Sequence, residues 1–338
     1  MAQRIAINGM GRIGKLVLRA AVEQGLDAAI VLANEPAGDT ATLAHLLEFD
    51  TVHGRWDIPV AADGDRLAVG GHDIRVTRAR ELGELPLREL GVDLVLDCTG
   101  VFKTMAKLQP YLDAGVGRVL VSAPVHEAGA VNIVYGVNQD AYDPAEHRVV
   151  TAASCTTNCL APVVKVVHEA LGIRHGTMTT LHDATNTQTI VDRPAKDLRR
   201  ARSALNSLIP TTTGSATAIG RIYPELDGRL NGHAVRVPLL TGSLTDCVFE
   251  LERATDAATV NGLFAEAARN GPLAGILGYE PRPLVSSDFC HDARSAIVDG
   301  PSTMVVAGTQ LKVYAWYDNE WAYACRMRDL ADFVMQCK

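Results

Sequence analysis

One cysteine stands where it could act as a nucleophile. Cys155 lies in the stretch 153–159 (ASCTTNC), after an apolar run that predicts a strand and before residues 160–171, whose apolar residues have helical spacing. At the first turn of a helix, unpaired backbone N–H groups and the helix dipole favour an anion. We therefore expect this position to lower the pKa of the thiol and supply a thiolate at neutral pH.

The base is expected from His182, which follows the next apolar run, 173–181. Strand–helix–strand order brings both side chains to one sheet edge, as in cysteine–histidine nucleophilic catalysis. The spacing leaves open that Cys155 is a small buried hydrophobe, as free cysteines often are. Cys159 lies one helical turn further on, but two ligands without a second Cys/His cluster do not predict a zinc site, so no metal is expected.

A glycine-rich turn near the start predicts a dinucleotide site. Residues 9–14 (GMGRIG) separate a buried strand at 4–8 from a helical stretch at 15–22. In this setting glycines let the backbone approach a pyrophosphate held on the helix N-terminus. The candidate cofactor residues of this turn are Gly9, Gly11, Arg12, Ile13 and Gly14.

Later strand ends add cofactor candidates. Glu35 follows the predicted strand 28–33, where an acidic residue holds a ribose 2′-hydroxyl; a solvated loop residue is the alternative. Thr99, Gly100 and Ser122 follow two further strands and are expected to line the ligand crevice.

Hydroxyl and guanidinium groups in later loops and near helix starts suit a phosphate. The set is His182, Thr185, Arg200, Thr213 and Arg236, with Gly214 opening a helix. The alternative for residues 199–202 (RRAR) is a solvated face or a subunit ion-pair network. Beside a dinucleotide fold and a thiolate, phosphate binding is the better explanation.

Composition sets the fold class and excludes some partners. The chain has 338 residues, of which 47% are hydrophobic, and its length predicts two domains. Strand–helix alternation over the first 150 residues predicts an α/β, doubly wound parallel (Rossmann) sheet, and alternation at 244–251 predicts a mostly antiparallel sheet in an α+β catalytic domain. A net charge of −7 disfavours nucleic acid. With no signal peptide, no membrane-spanning run and seven irregularly spaced cysteines, we expect reduced thiols in the cytoplasm.

Six motifs in order carry a family resemblance. They are 7–14 (INGMGRIG), 98–102 (CTGVF), 122–124 (SAP), 153–159 (ASCTTNC), 210–214 (PTTTG) and 316–320 (WYDNE). With them the chain resembles phosphorylating glyceraldehyde-3-phosphate dehydrogenase over essentially its whole length. The resemblance implies an NAD-binding domain at 1–153, joined by a C-terminal helix at 319–338, and a catalytic domain at 154–318. It also implies a homotetramer whose segment 183–208 lies near a neighbour's cofactor.

The resemblance implies a reaction through a thioester. Cys155 would attack the aldehyde of D-glyceraldehyde 3-phosphate, and its backbone N–H would steady the oxyanion. His182 would keep the thiol ionised and take the hydroxyl proton as hydride leaves for NAD. Inorganic phosphate would then release 1,3-bisphosphoglycerate.

The resemblance also assigns ligand roles. Thr185 and Arg236 would hold the substrate phosphate. Asn319 would orient the nicotinamide carboxamide, with Tyr323 beside the ring. The attacking anion would be held by Ser154, Thr156, Arg200 and Thr213.

The chain departs from the family pattern in three places. Where the family usually reads HSYTN, Asp183 and Ala184 follow the histidine. Glu35 replaces the usual aspartate and would repel a 2′-phosphate, whereas Arg193 could accept one. NAD is expected, with NADP as the alternative.

The stretches 183–188 (DATNTQ) and 206–218 (NSLIPTTTGSATA) resemble a bacterial branch encoded beside an organo-arsenical exporter, in which arsenate replaces phosphate and gives 1-arseno-3-phosphoglycerate. Arsenate is a near-isostere that pocket contacts separate poorly. Two alternatives stay open: erythrose-4-phosphate dehydrogenase, and a non-catalytic nucleotide-binding interaction protein.

Overall fold

The computed structural model describes residues 3–337, and the chain divides into two compact units. The first unit consists of Met1–Tyr135, Gln139–Ser154 and Tyr323–Lys338, and the second of Gly136–Asn138 and Cys155–Ala322. The last helix of the chain therefore belongs mainly to the first unit.

The elements of the first unit alternate between strand and helix for much of its length. In chain order they are β1 (Gln3–Asn8), α1 (Arg12–Glu23), β2 (Ala28–Asn34), α2 (Thr40–Glu48), β3 (Phe49–Asp50), β4 (Gly54–Arg55), β5 (Val60–Asp63), β6 (Arg66–Val69), β7 (His72–Thr77), β8 (Leu94–Asp97), α3 (Met105–Asp113), β9 (Arg118–Val121), β10 (Ala130–Asn132) and β11 (Val149–Thr151).

Nine of these strands form one sheet, in the order β10-β11-β9-β8-β1-β2-β7-β6-β5. All neighbours from β10 to β7 pair in parallel, and only the β5–β6–β7 excursion is antiparallel. The chain leaves β1 toward β2 on one side and later returns to β8 on the other. Ligands bind at such a switch point, outside the carboxyl ends of the strands.

Buried apolar side chains and capped helices hold this unit together. Leu108 and Tyr111 of α3 pack in the core on one side of the sheet. Asp39 accepts from the Thr42 amide at the start of α2, and Thr104 accepts from the Lys107 amide at the start of α3. These caps satisfy amides that a helix leaves unpaired at its first turn.

The second unit begins with the helix that carries the cysteine. Its elements are α4 (Cys155–Leu171), β12 (Ile173–Asp183), β13 (Ile209–Thr212), α5 (Ser215–Ile222), β14 (Leu230–Val237), β15 (Ser243–Leu251), α6 (Ala257–Arg269), β16 (Leu277–Glu280), β17 (Ala296–Asp299), β18 (Met304–Val306) and β19 (Gln310–Tyr317), and the chain ends with α7 (Trp321–Gln336).

The second sheet is mostly antiparallel and has the order β13-β14-β12-β15-β19-β17-β16, with β18 beside β19. The long strand β12 runs between β14 and β15. Its parallel register with β14 sets His182 opposite Arg236, and the register of β15 with β19 sets Ser243 opposite Tyr317. These two sheets confirm the predicted fold class.

The last helix is fastened to the first unit by polar contacts. Arg328 donates to the carbonyl of Gln24 over 2.9 Å and to that of Gly25 over 2.7 Å. Cys325 Sγ lies 3.0 Å from the Gln24 amide nitrogen. Across residues 3–337, no helix combines the length and apolar character needed to cross a membrane.

Candidate active site

The structure brings the predicted nucleophile and base together. Cys155 is the first residue of α4, and His182 is the next-to-last residue of β12. The distance from Cys155 Sγ to His182 Nε2 is 3.5 Å. Hydrogen bonds from the hydroxyl and the backbone amide of Thr156 also favour the ionised form of this sulfur. This geometry allows a proton to pass directly from sulfur to imidazole.

The other ring nitrogen of His182 faces two partners. Nδ1 lies 2.8 Å from the carbonyl oxygen of Asp183 and is also in contact with Nη1 of Arg236, which itself donates to the Asp183 carbonyl over 3.1 Å. Donation from Nδ1–H to that carbonyl leaves Nε2 as the acceptor that a general base needs. The Asp183 carbonyl therefore favours the productive tautomer, whereas the N–H of Arg236, which can only donate, favours the tautomer with its proton on Nε2.

The prediction that the helix start lowers the pKa of the Cys155 thiol is wrong. Burial raises the pKa of Cys155, while Arg236 and Thr156 oppose that rise. Burial, together with the Arg236 charge, lowers the pKa of His182 to about 3. Desolvation outweighs the helix terminus because both groups lie in an interior that disfavours charge. Both shifts favour the neutral thiol and the neutral imidazole, so a nucleophilic sulfur requires transfer of its proton to Nε2.

A buried tyrosine that the sequence did not single out supports the pair. The hydroxyl of Tyr317 lies 2.9 Å from Thr156 Oγ1 and 2.8 Å from Thr180 Oγ1, and its ring meets that of His182 edge to face. These contacts link the first turn of α4 to β12. In the sequence, only the position of Tyr317 within the motif 316–320 indicated a role for this residue.

The expected phosphate ligands occupy one end of the second sheet, in two groups. Gln188 Oε1 accepts from the amide of Thr185 over 2.8 Å and from its hydroxyl over 3.0 Å, so Gln188 fixes the loop that follows β12. Arg236 is half-buried and has a buried Nε without a partner in the described chain. Such a nitrogen is suited to an incoming anion.

Side chains of the second group already have hydrogen-bond or ion-pair partners within the chain. Arg200 Nε donates to Thr211 Oγ1 over 3.1 Å and pairs with Asp197 at 3.5 Å. Thr213 Oγ1 accepts from the Ser215 amide over 3.2 Å at the start of α5, where Gly214 is the N-cap without a side-chain cap. The charge of Arg200 is close enough to lower the pKa of Arg236, although burial lowers that pKa more. Ser154, half-buried, directly precedes the nucleophile.

The glycines of the first unit meet the steric demands of a dinucleotide turn. Gly9 has φ +89°, and a Cβ there would lie 2.7 Å from the Thr99 amide. A Cβ on Gly14 would collide with the Gly9 carbonyl, whereas one on Gly11 would meet nothing within 4 Å. Open space at an uncapped helix start is the cradle that a pyrophosphate needs, so these residues fit NAD.

The acidic residue after β2 is held close to that turn. Glu35 Oε2 accepts from the amide of Met10 over 3.0 Å, and Oε1 accepts from the amide of Ala37 over 3.1 Å. The carboxylate is thereby oriented, with lone pairs left for a hydroxyl. Arg12 instead pairs with Asp50, whose pKa falls to about 2, so Arg12 is committed to an ion pair.

The remaining cofactor candidates lie at strand ends. Thr99 donates through its amide and its hydroxyl to Asp97 Oδ1, over 3.0 and 2.7 Å. Gly100 has φ +67° and lies in the turn after β8. Ser122 follows β9 and donates its amide to the Asp97 carbonyl over 2.9 Å. Ile13, half-buried, lies in the first turn of α1.

Two candidates near the end of the chain are almost completely buried. Asn319 is 4% exposed and its Oδ1 accepts from Ser243 over 3.0 Å. Tyr323 is also 4% exposed, and its hydroxyl donates to the Ala153 carbonyl over 3.1 Å. Asn319 lies in the second unit and Tyr323 in the first.

A doubly wound sheet with a dinucleotide turn, in a chain that also holds a thiol beside an imidazole, defines a class: an NAD-dependent oxidoreductase. Comparison with known proteins is more specific. Residues 3–105 match the family model for the NAD binding domain of glyceraldehyde 3-phosphate dehydrogenase, and residues 154–319 match the model for its C-terminal domain. The chain belongs to the glyceraldehyde-3-phosphate dehydrogenase family, and its cofactor is NAD.

Curated relatives agree along the whole chain. Glyceraldehyde-3-phosphate dehydrogenase 3 of Nostoc sp. is 57% identical over 331 residues, covering 98% of each chain. The glyceraldehyde-3-phosphate dehydrogenase of Streptomyces coelicolor is 48% identical and covers 99% of each chain. That of Geobacillus stearothermophilus is also 48% identical, over 99% of this chain and 98% of its own.

Proposed function

We propose that the chain oxidises D-glyceraldehyde 3-phosphate with NAD and inorganic phosphate to 1,3-bisphosphoglycerate, through a thioester on Cys155. The observation that carries this proposal is the 3.5 Å approach of the sulfur to His182 Nε2, with Arg236 beside the imidazole. The names of the curated relatives and the descriptions of the family models support glyceraldehyde 3-phosphate as the aldehyde.

The chain supplies nucleophile, base and anion ligands. Cys155 Sγ bonds to the aldehyde carbon as its proton passes to His182 Nε2, and the Cys155 backbone N–H supports the oxyanion of the thiohemiacetal. That proton passes on from Nε2 to the oxyanion, which leaves His182 neutral, and His182 then takes it back from the thiohemiacetal hydroxyl as the C–H bond breaks. NAD, when bound, would supply the hydride acceptor. The product on the enzyme is a thioester.

Phosphate completes the reaction by attacking the thioester carbon, with the Cys155 sulfur as leaving group. Thr185 and Arg236 hold the phosphate of the substrate. The attacking anion is held by Ser154, Thr156, Arg200 and Thr213, beside Gly214 at the start of α5. The uncapped helix start and the orphan Nε of Arg236 support two anion positions.

The cofactor assignment extends to named residues. The turn of Gly9, Gly11 and Gly14 would hold the pyrophosphate, and Glu35 would accept from the ribose. Asn319 would orient the nicotinamide carboxamide, and Tyr323 would contact the ring. The other proposed cofactor residues are Arg12, Ile13, Thr99, Gly100 and Ser122. The oriented Glu35 carboxylate favours NAD over a cofactor with a 2′-phosphate, because it would repel that group.

The assembly is proposed to be a homotetramer. Exposed apolar side chains in the segment 183–208 support an interface there: Ile190, Val191, Leu198, Leu205 and Leu208 are 66–81% exposed. Contiguous exposed apolar groups mark such surfaces. Light scattering after size exclusion measures the mass of the assembly.

All seven cysteines are free thiols, which supports a reducing compartment such as the cytoplasm.

Whether the physiological anion is phosphate or arsenate is the open part of the proposal. The unusual Asp183 and Ala184 after the catalytic histidine support the arsenate branch, in which the product is 1-arseno-3-phosphoglycerate for export. A site that holds phosphate also admits arsenate, because the two ions are near-isosteres that pocket contacts separate poorly. If deletion of the gene raises arsenate sensitivity without slowing growth on glucose, a detoxifying role is favoured. If deletion slows growth on glucose without changing arsenate sensitivity, a glycolytic role is favoured.

The purified protein tests the reaction directly. We expect NADH formation with glyceraldehyde 3-phosphate that requires phosphate or arsenate, and kcat/KM for NAD above that for NADP. Erythrose 4-phosphate as the better aldehyde, oxidised without phosphate, would favour the erythrose enzyme. NAD binding with no turnover on either aldehyde would favour a non-catalytic nucleotide-binding protein and would overturn the proposal.

A further inference from the structure

Asp183, next to the catalytic imidazole, has a carboxyl group that the proposed reaction does not use. It is 0% exposed, and its Oδ2 lies 3.1 Å from Ser243 Oγ. Its Oδ1 is buried and has no hydrogen-bond partner within the described chain. A buried carboxylate left half-satisfied costs free energy, so the protonated acid is the form that suits this place.

Ser243 connects this carboxyl to a cofactor residue. Its Oγ accepts from the Asp183 backbone amide over 3.1 Å and lies 3.0 Å from Asn319 Oδ1. Ser243 is 1% exposed, so water has little access to the hydroxyl. A hydroxyl carries one proton, and Ser243 can therefore donate either to Asp183 Oδ2 or to Asn319 Oδ1, but not to both.

The charged groups around Asp183 have opposing effects on its proton. Burial raises the pKa of Asp183 to about 7, and the carboxylates of Asp318 and Glu320 add to that rise. Ser243 and the Arg236 guanidinium on β14 act in the opposite direction. His182, its neighbour on β12, carries no charge near neutrality because its own pKa is about 3.

We propose that protonated Asp183 is a positioning residue for Asn319. The Asp183 O–H donates to Ser243 Oγ, and Ser243 then donates to Asn319 Oδ1. Both lone pairs and the proton of Ser243 are used in this arrangement. With its oxygen held, Asn319 presents its NH₂ as the donor for the nicotinamide carboxamide, the role proposed above, on which this inference rests.

Ionisation of Asp183 breaks this chain of donors. The carboxylate draws the Ser243 proton to Oδ2 because a charged acceptor forms the stronger hydrogen bond. Asn319 Oδ1 then loses its donor, and the amide is free to turn its oxygen toward the cofactor. NAD affinity should therefore fall as pH rises through the pKa of Asp183.

Calorimetric titration with NAD and with ADP-ribose, which lacks the nicotinamide, tests the proposal. Between about pH 6 and about pH 8.5, we expect wild-type affinity for NAD to fall about three- to tenfold, the worth of one hydrogen bond, and affinity for ADP-ribose to stay constant. Asp183→Asn should keep the higher NAD affinity throughout, since its NH₂ can donate to Ser243 at any pH. Glu266→Gln, which removes an exposed carboxylate on α6, should titrate like wild type.

Ser243→Ala supplies a second variant in case Asp183→Asn fails to fold. We expect it to bind NAD more weakly at every pH and without pH dependence. A fall shared by NAD and ADP-ribose, or a wild-type pH profile in either variant, would overturn the proposal. The outcome is separable from that of the proposed function: binding is measured without aldehyde, so a protein could show this profile and yet not oxidise the substrate, or the reverse.

Discussion

At the residue scale, the ionisation of Cys155 is governed by burial and by one arginine. Burial raises the pKa of the thiol, and the nearest opposing charge is Arg236. The same guanidinium lowers the pKa of His182, after burial itself. Arg236 thus favours a thiolate while disfavouring an imidazolium, which keeps the histidine available as a base.

Arg236→Met should therefore make Cys155 less reactive. Loss of the positive charge raises the thiol pKa further, so alkylation of Cys155 by iodoacetamide near neutral pH should slow several-fold. Peptide mass spectrometry distinguishes this cysteine from the other six. Arg269→Met, on an exposed arginine of α6, is the matched control. An unchanged or faster rate in Arg236→Met would show that the arginine does not sustain the thiolate.

The sequence predicted the pair at this scale but not its electrostatics. Strand–helix–strand order was enough to bring Cys155 to His182. The pKa direction of the thiol was wrong, because helix position is visible in a sequence and desolvation is not. Tyr317 and Ser243 were missed as neighbours of the site, since their contacts depend on the register of β15 with β19 across distant segments.

At the element scale, the turn between β1 and α1 separates two roles of glycine. Gly11 leaves open space at the helix start, whereas Gly14 has no room for a Cβ because of the Gly9 carbonyl. The first is free to change without steric strain in the folded protein, and the second is not.

Gly11→Ala and Gly14→Ala should consequently fail in different ways. For Gly11→Ala we expect a loss in unfolding free energy of no more than about 1 kcal/mol but clearly weaker NAD binding, because the methyl occupies the pyrophosphate cradle. For Gly14→Ala we expect a loss of about 1–3 kcal/mol from overpacking, with binding lost as a consequence. Urea unfolding without ligand and NAD titration measure the two quantities. Equal destabilisation by both changes would contradict the assignment.

Long elements were predicted well from their pattern, and short ones were not. The sequence pattern predicts a strand at 310–317, which is β19, and a helix at 256–269, which is α6 to within one residue. The polar residues 183–211 show little periodicity and predict a long loop, yet Ile209–Thr212 form β13. It lies at the sheet edge and pairs only with β14, where a proline costs no ladder bond on its free side.

At the scale of the whole molecule, two buried groups give opposite pH dependences to stability. The pKa of Asp183 is about 7 in the folded protein against an ordinary 3.8, so its contribution is present below 3.8 and lost as pH rises to 7. The pKa of His182 is about 3 against 6.5, so its contribution is present above 6.5 and lost as pH falls to 3.

Asp183→Asn should therefore gain stability relative to wild type as pH rises. The variant escapes the whole cost of burying this carboxyl group, at most about 4 kcal/mol, at a pH of about 8, but only a smaller part of it at about 5. Unfolding midpoints at the two pH values measure the difference. If the variant and wild type differ equally at both, Asp183 does not titrate in this range.

The division of the chain followed from sequence only in outline. A dinucleotide-binding half and a catalytic half were expected from the change of pattern near Cys155. The structure groups Tyr323–Lys338 with the first unit, the domain to which the resemblance assigned the C-terminal helix 319–338. It also groups residues 136–138 with the second unit, a return of the chain that no local sequence pattern indicates.

The central claim is that Cys155 carries the acyl group. Protein mixed with NAD and glyceraldehyde 3-phosphate in the absence of phosphate and arsenate should release one NADH for each Cys155 in a burst. Intact mass should then show a single 3-phosphoglyceroyl adduct, which peptide mapping places on Cys155 and which added phosphate removes. Absence of the burst, or an adduct on another residue, would contradict the account.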